Sequence, residues 1–218
     1  EPYDLKEMGF HSAEAINHIV EVERRAYADR TEYMGDPDFV DVPTKALLDP
    51  DYVAGRMKDF EPGKAGKSDL IEPGLEESEE TTHFSIIDEE GNAVSVTTTI
   101  NTNYGSHVVV GGPGFILNNE MDDFSAKPGA PNAFGLLGTE ANAIAPNKRM
   151  VSSMMPTIVL DNNKPYIIVG TPGGSTIITS VLQSILNVME FGLSPEDAVN
   201  KPKFHHQWQP DVIYLEKD

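Results

Sequence analysis

The chain has 218 residues, which is enough for one sizeable domain or two small ones with a buried core. Its net charge of −19 argues against a nucleic-acid surface, which needs clustered lysine and arginine. No apolar run approaches the roughly 20 residues of a membrane-spanning helix. The absence of cysteine excludes disulfides, thiolate metal sites and a cysteine nucleophile, but it leaves the cellular compartment open.

Residues 1–80 are predicted to be mainly helical. Ser12 is a suitable N-cap for a helix, and apolar residues follow it at roughly helical spacing: Ile16, Ile19, Val20 and Tyr27. Prolines downstream mark turns around short helical pieces. Residues 61–80 combine two Pro-Gly pairs with many glutamates, so we expect a solvated and mobile linker there.

From Thr81 onward the pattern changes to that of strands. A buried strand is expected around Phe84 and Ile86, a turn at Asp88–Asn92, and a second strand over Ala93–Asn101, which together predict a β-hairpin. A second hairpin is predicted over Thr157–Gly170, with its turn at the sequence DNNK.

Two helices are predicted in the last part of the chain. One opens at Gly173-Gly174 and ends near Gly192, and its apolar stripe is Ile177, Ile178, Val181, Leu182, Ile185, Leu186 and Met189. The other begins at Ser194, with proline at its first position. Hairpins without βαβ units indicate an α+β fold, in which helices pack on antiparallel sheets.

The junction Glu80–Thr81 is the first candidate for chemistry, because an acidic run meets an apolar strand there. The default interpretation is a threonine at the entrance of a strand. The alternative is a bond that is cut, which leaves Thr81 as a new N-terminus. A terminal α-amine has a pKa of roughly 7.7–8.0 and can accept the proton of the neighbouring hydroxyl. Before cleavage, the same hydroxyl can attack the preceding carbonyl in an N-to-O acyl shift.

Three further features have both an ordinary and a functional interpretation. Asn118–Phe124 contains clustered carboxylates, which form either a solvated turn or a site for a substrate ammonium. Ser152-Ser153 and the pair Gly173-Gly174 offer donors, and two glycines before a helix can aim N–H groups at an oxyanion or serve only a tight turn. His205-His206 lack the spacing of a zinc site on one helical face, so packing or surface roles are favoured.

Together these segments resemble the γ-glutamyltransferase family, also called γ-glutamyltranspeptidase or glutathione hydrolase. The resemblance runs through essentially all 218 residues. It is densest in four ordered motifs: TTHFSIIDEEGNAVSVTTTIN, LNNEMDDFSAKPG, NKRMVSSMMPTIV and GTPGGSTIIT. In that family the precursor cuts itself before the first threonine of the TTH motif, which implies cleavage between Glu80 and Thr81.

The resemblance implies a role for each matched position. Thr81 would attack the γ-glutamyl amide and form an acyl-enzyme, and Thr99 would orient it. The α-ammonium of the substrate would be held by Asn101, Glu120 and Asp123. Its α-carboxylate would be bonded by Ser152 and Ser153, and the N–H groups of Gly173 and Gly174 would form the oxyanion hole. Lys127–Thr139 matches the lid loop of bacterial members.

The resemblance also implies the wider context. The fold would be the αββα four-layer sandwich of N-terminal-nucleophile hydrolases, partial here because the chain looks truncated at both ends. Residues 1–80 would be the end of the large subunit, and residues 81–218 most of the small catalytic subunit, in a heterodimer from one precursor. Glutathione would be the donor, and water, an amino acid or a dipeptide the acceptor. No cofactor, metal, nucleic acid or membrane span is implied, and the location would be periplasmic or extracellular.

The sequence departs from the family pattern in several places. A large-subunit arginine that usually clamps the α-carboxylate lies upstream of anything in this chain. Phe134 stands where bacterial lids often have tyrosine, Thr176 replaces an arginine often found after GGS, and Met155 replaces a serine after SSM. We expect these changes to affect the fine substrate specificity rather than the activity itself, because none of them involves the nucleophile. The alternatives are a related acylase or amidohydrolase on the same scaffold, or a non-catalytic paralogue or fragment.

Overall fold

The computed structural model describes residues 3–68 and 81–217 and has a mixed α+β architecture, as the sequence predicts. Glu80 and most of the acidic linker fall on residues 69–80, outside the described residues. Within the described ranges, no helix combines the length and apolarity needed to cross a membrane.

The first part of the chain is built around one long helix. Helix α1 spans Leu5–Met8 and α2 spans Ala13–Tyr33, followed by α3 (Thr44–Leu47) and α4 (Pro50–Arg56). The predicted cap of α2 is confirmed, because Ser12 Oγ accepts a bond from the Ala15 amide at 3.0 Å. Ile19 and Val20 of α2 are buried and pack against Phe204 near the C-terminus. Helix α2 therefore packs directly against the last part of the chain.

In the part of the linker that the structure describes, residues 61–65 and Lys67 are exposed, as predicted for a solvated segment, whereas Gly66 and Ser68 are anchored, which the sequence did not predict. The Ser68 amide donates to Asp211 Oδ2 at 2.6 Å, and Arg24 bonds both Ser68 Oγ and Asp211. The Gly66 amide donates to Glu21 Oε1 at 2.7 Å, and a Cβ on Gly66 would meet that carboxylate at 2.6 Å. The sequence shows that this segment is rich in glycine and charge, but it does not show that Gly66 and Ser68 bond to Glu21 and Asp211.

Two antiparallel hairpins confirm the predicted strands. Strands β1 (Thr82–Ile87) and β2 (Ala93–Thr98) pair in register from Thr82 opposite Thr98. Strands β3 (Thr157–Asp161) and β4 (Lys164–Val169) form the second hairpin, with a bulge between Val159 and Leu160. The hairpins touch, because Ser85 Oγ donates to the Ile168 carbonyl and Ser95 Oγ to the Val169 carbonyl, both at 3.3 Å.

The expectation that β1 is buried is wrong for this chain. Phe84 is 45% exposed and Ile86 is 55% exposed. Alternating apolar residues establish that a strand has an apolar face, but only tertiary contacts decide whether that face is covered. No helix among the described residues contacts this hairpin substantially.

Helix α5 spans Thr176–Met189 and α6 spans Pro195–Asn200; strands β5 (Phe204–His205) and β6 (Tyr214–Leu215) follow. The predicted cap of α6 is confirmed by the bond from the Asp197 amide to Ser194 Oγ. The predicted apolar stripe of α5 is only partly buried: Ile177 and Val181 are buried, whereas Met189 is 52% exposed.

Polar side chains share the buried face of α5, which apolar periodicity does not reveal. Gln183 accepts from the Phe204 amide at 3.0 Å and donates to the Phe204 carbonyl, so it satisfies the backbone of β5. Thr179 bonds His205 at 2.8 Å, and Asn187 donates to the Ala198 carbonyl. Buried polar groups need such partners, and here they fix the position of α5.

Candidate active site

A cavity at the open end of the first hairpin brings most of the predicted site residues together. Its lining includes seven of them: Thr81, Thr99, Asn101, Asp123, Ser152, Ser153 and Gly174. Glu120 and Gly173 are not in the lining, but they adjoin Asp123 and Gly174. These seven residues come from five separate segments of the chain, which therefore converge on one place.

The Thr81 hydroxyl lies at the start of β1, directly beside Thr99. Thr81 Oγ1 is 3.4 Å from Thr99 Oγ1, which is long for a hydroxyl–hydroxyl bond. Bonds of this kind are often long in unliganded sites and shorten when substrate binds. Antiparallel pairing of β1 with β2 brings the residue before one strand next to the residue after the other.

Asn101 has a left-handed backbone, with φ of 75°, and it is almost fully buried. Its amide donates to Thr99 Oγ1 at 2.9 Å, so the turn after β2 holds the Thr99 hydroxyl. Its side-chain Nδ2 donates to the Asn119 carbonyl at 3.2 Å. This bond links Asn101 to the residue that directly precedes the acidic turn.

The acidic turn Glu120–Asp123 is a short 3₁₀ helix in which two carboxyl groups hydrogen-bond each other. Burial, followed by the charge and hydrogen bond of Glu120, raises the pKa of Asp123 to about 7. Burial also raises the pKa of Glu120. The two groups thus share a proton in mildly acidic solution, and a cationic partner would favour their full ionisation.

The two serines follow a segment that is bonded firmly to the end of α2. Arg149 forms a bidentate ion pair with Asp36, and its guanidinium holds the pKa of that carboxyl well below its usual range. Ser152 Oγ accepts from the Met154 amide at 3.1 Å. Ser153 Oγ accepts from Arg30 Nη2 of α2, also at 3.1 Å.

The Gly173-Gly174 turn precedes α5 and has positive φ at both residues, 136° and 53°. A Cβ on Gly173 would meet Thr176 Oγ1 at 2.5 Å, so both conformation and space require glycine there. Among the described residues, no acceptor is recorded for either glycine amide. The turn therefore presents N–H groups next to the cavity that contains Thr81.

Sequence analysis missed Asn142, which connects the acidic turn to the serines. Its Nδ2 donates to the Asp123 carbonyl at 2.7 Å, its Oδ1 accepts from the Val151 amide at 3.1 Å, and its carbonyl accepts from the Ser125 amide. A single asparagine in a loop carries no periodicity or motif that would identify it. Arg30 was missed as well, because α2 contains several charged residues and nothing in the sequence distinguishes Arg30 from the others.

The loop Lys127–Thr139 contributes Phe134 to the cavity that contains Thr81. Phe134 is buried against Tyr27 of α2 and Leu136, and its carbonyl accepts from Gln207. The loop closes on itself through the bond from the Gly129 amide to the Gly138 carbonyl at 2.8 Å. Its position beside the cavity is compatible with the predicted lid.

His205 and His206 are both buried, so of the two predicted roles, packing and surface, the structure supports packing. His205 bonds Thr179 and Gln207 at 2.8 Å each, and burial lowers its pKa to about 4. His206 lies 3.3 Å from Asp211 in the cluster that anchors Ser68.

The mixed α+β fold is that of the N-terminal-nucleophile class of hydrolases. The chain belongs to the γ-glutamyltranspeptidase family, whose model matches residues 1–218. It is 51% identical to the glutathione hydrolase proenzyme of Escherichia coli over 220 residues, which cover all of this chain and 38% of that protein. It is 36% identical to an acylase proenzyme, ACY 1, from a Pseudomonas strain, over 93% of this chain and 34% of that protein.

Solved structures show the same relationship. A Helicobacter pylori γ-glutamyltranspeptidase mutant superposes with a TM-score of 0.62 at 60% identity, covering 62% of this chain and 73% of that one. A Bacillus halodurans cephalosporin acylase shares the fold, with a TM-score of 0.70 at 22% identity over 94% of this chain and 34% of that one. The chain spans less than two-fifths of the length of curated relatives such as the E. coli protein.

Proposed function

We propose that this chain carries the catalytic site of a γ-glutamyl hydrolase and transpeptidase that acts on glutathione and related amides. The observation that carries the proposal is the convergence of the Thr81 hydroxyl, the Glu120–Asp123 turn, the serine pair and the Gly173-Gly174 turn around one cavity. The names of relatives such as the E. coli glutathione hydrolase proenzyme support the choice of substrate.

Maturation is the first step of the proposed mechanism. The Thr81 hydroxyl attacks the Glu80 carbonyl, the peptide bond between them breaks, and an ester forms in its place. Water then hydrolyses that ester, leaving a carboxylate on Glu80 and a free amine on Thr81. Residues 1–80 and 81–218 thereby become parts of a large and a small subunit of one heterodimer.

The same hydroxyl then attacks the γ-carbonyl carbon of the donor, and the Thr81 α-amine takes its proton. The Gly173 and Gly174 amides stabilise the oxyanion of the tetrahedral intermediate. Collapse of the intermediate releases the amine of the leaving group, which accepts that proton, and leaves a γ-glutamyl ester on Thr81. Water completes hydrolysis, whereas the amine of an amino acid or dipeptide completes transfer.

The head group of the donor is held by opposite charges and hydrogen bonds. Asn101, Glu120 and Asp123 accept bonds from the α-ammonium, and charge-assisted bonds of this kind are about twice as strong as neutral ones. Ser152 and Ser153 donate to the α-carboxylate. Recognition of both groups distinguishes a γ-glutamyl donor from a simple amide.

The wider architecture is part of the proposal. The two hairpins would belong to the two sheets of an αββα four-layer sandwich, which the cross-hairpin bonds of Ser85 and Ser95 support. We place the protein in the periplasm or outside the cell, on the basis of the family resemblance.

An acylase for another acyl group is the second candidate, favoured by the 36% identity to the ACY 1 proenzyme. The half-buried acidic pair argues for an ammonium-bearing donor, because an acyl group without an amine leaves those carboxylates uncompensated. A panel of anilides with and without the free α-amine separates the two, since only a γ-glutamyl enzyme requires that amine.

The decisive variant for the proposed function is Thr81→Ala in the full-length protein. We expect it to abolish both self-cleavage and turnover of a γ-glutamyl anilide, because the hydroxyl performs both reactions. Thr82→Ala is the matched control, since Thr82 adjoins the site but its side chain has no proposed role. Turnover that survives in Thr81→Ala would end the proposal, and a wild type that neither cleaves nor turns over would favour a non-catalytic paralogue.

A further inference from the structure

We propose that Arg30 is a positioning residue for the head-group site, which orients the Ser153 hydroxyl and keeps the Glu120–Asp123 turn anionic. The inference rests on the proposed function and extends it to a residue of α2, in the part of the chain before the cleavage site. Arg30 performs no chemical step; it acts through the groups that touch the substrate.

The geometry places Arg30 between the two halves of the head-group site. Its Nη2 donates to Ser153 Oγ at 3.1 Å, and its side chain lines a cavity together with Asp123 and Asn142. It also lines a neighbouring cavity with Ser152. One guanidinium therefore lies next to the groups proposed for the carboxylate and those proposed for the ammonium.

The bond to Ser153 fixes which way the serine hydroxyl points. A guanidinium has donors and no acceptor, so Ser153 Oγ must be the acceptor in this bond. The single proton of that hydroxyl is then directed elsewhere, and no other partner for it is recorded among the described residues. Ser152 has the same arrangement, because its Oγ accepts from the Met154 amide. Both hydroxyl protons are thus available to a carboxylate in the cavity.

The charge of Arg30 also acts on the acidic turn. The ionisable groups that face Asp123 are Glu120 and Asp122 from its own turn and Arg30 from α2. Burial and the two acids favour the protonated form of Asp123, and Arg30 is the cation that opposes them. Asp123 and Tyr27 are the groups that face Arg30 in turn. Arginine remains charged even where burial lowers its pKa, so its effect on Asp123 persists at working pH.

The two roles predict different consequences for two substitutions. Arg30→Lys keeps a positive charge but loses the rigid fork that reaches Ser153, so KM should rise about tenfold while the pH profile keeps its position. Arg30→Gln loses the charge and retains an amide donor. Its acid limb in the plot of kcat/KM against pH should move up by about one pH unit, because Asp123 then holds its proton more tightly.

The experiment measures kcat and KM for a γ-glutamyl anilide from pH 5.5 to 9 in the full-length wild type and both variants. Arg56→Gln is the matched control, because Arg56 bonds Asp29 and the Arg25 carbonyl beside α2 and touches neither Ser153 nor Asp123. A general loss of stability lowers activity in all variants without moving the acid limb.

An active wild type with an unmoved acid limb in Arg30→Gln and an unchanged KM in Arg30→Lys would overturn this inference alone. If Arg30→Gln does not fold, an unchanged KM in Arg30→Lys overturns it. A wild type without γ-glutamyl activity would instead overturn the proposed function, and this inference with it.

Discussion

The raised pKa values of Glu120 and Asp123 in the acidic turn predict how kcat/KM depends on pH. The pKa of Asp123 is raised from 3.8 to about 7. Burial is the largest cause, and Glu120 is the next. A like charge at hydrogen-bonding distance typically moves a carboxyl pKa by about one unit or more. Glu120→Gln removes that charge at almost constant volume.

The direction of the effect follows from the proton balance. Below pH 7 the wild-type pair retains a proton and attracts the substrate ammonium less, so kcat/KM should rise as the pH increases through about 7. The Thr81 α-amine must also lose a proton, at roughly pH 7.7–8.0 if unperturbed. Two protons therefore leave over this range, and the logarithm of kcat/KM should climb with a slope approaching two. In Glu120→Gln the pKa of Asp123 falls by about one unit or more, and the slope just below the amine pKa should approach one.

The assay is the pH profile of kcat/KM for a γ-glutamyl anilide in the wild type and in Glu120→Gln. The plateau of kcat/KM at high pH should also fall in Glu120→Gln, because a group that binds the substrate ammonium is lost. The hypothesis is therefore tested by the slope and position of the acid limb, not by the height of the plateau. Glu89→Gln is the control, since it removes the same charge from the exposed turn of the first hairpin. An acid limb in Glu120→Gln that matches the wild type in slope and position would refute the reasoning.

Two further substitutions test how the site is held in place. Gly173→Ala forces a Cβ to within 2.5 Å of Thr176 Oγ1 at a φ of 136°, so kcat should fall by at least about tenfold. Gly91→Ala controls for loss of a positive-φ glycine, because it lies in the turn of the first hairpin and its Cβ would meet nothing within 4 Å. A Gly173→Ala variant with wild-type kcat would remove this turn from the oxyanion hole. Asn142→Ala leaves the Val151 amide and the Asp123 carbonyl without partners, which costs about 1–3 kcal/mol in the free energy of unfolding by urea. It should also raise KM for the anilide, whereas Asn200→Ala at the exposed end of α6 should change neither quantity.

Local patterns were sufficient to predict helices α2, α5 and α6 and the two hairpins, but not strands β5 and β6. The Ser12 and Ser194 caps and the two hairpin turns each depend on neighbours within a few residues, and the structure confirms them. The family resemblance supplied the site residues, and seven of them line one cavity. Their individual roles remain predictions, which the variants above test.

Long-range contacts account for what the sequence did not reveal. Arg30 and Asn142 act through partners more than a hundred residues away or across a loop, so no motif records them. The polar face of α5 satisfies the backbone of β5, although its spacing resembles that of any amphipathic helix. The buried anchor of Ser68 depends on Asp211, near the other end of the chain. The bonding partners in each of these cases are far apart in sequence, so only the folded structure identifies them.

We propose that scission before Thr81 frees an α-amine beside the hydroxyl of the same residue, and that these two groups suffice as base and nucleophile. Intact mass spectrometry combined with N-terminal sequencing of the active, full-length protein tests it directly. The account predicts two polypeptides, the smaller beginning with Thr81, and a γ-glutamyl mass increment on that smaller polypeptide during turnover. A protein that releases glutamate from glutathione while the bond between Glu80 and Thr81 stays intact would contradict it.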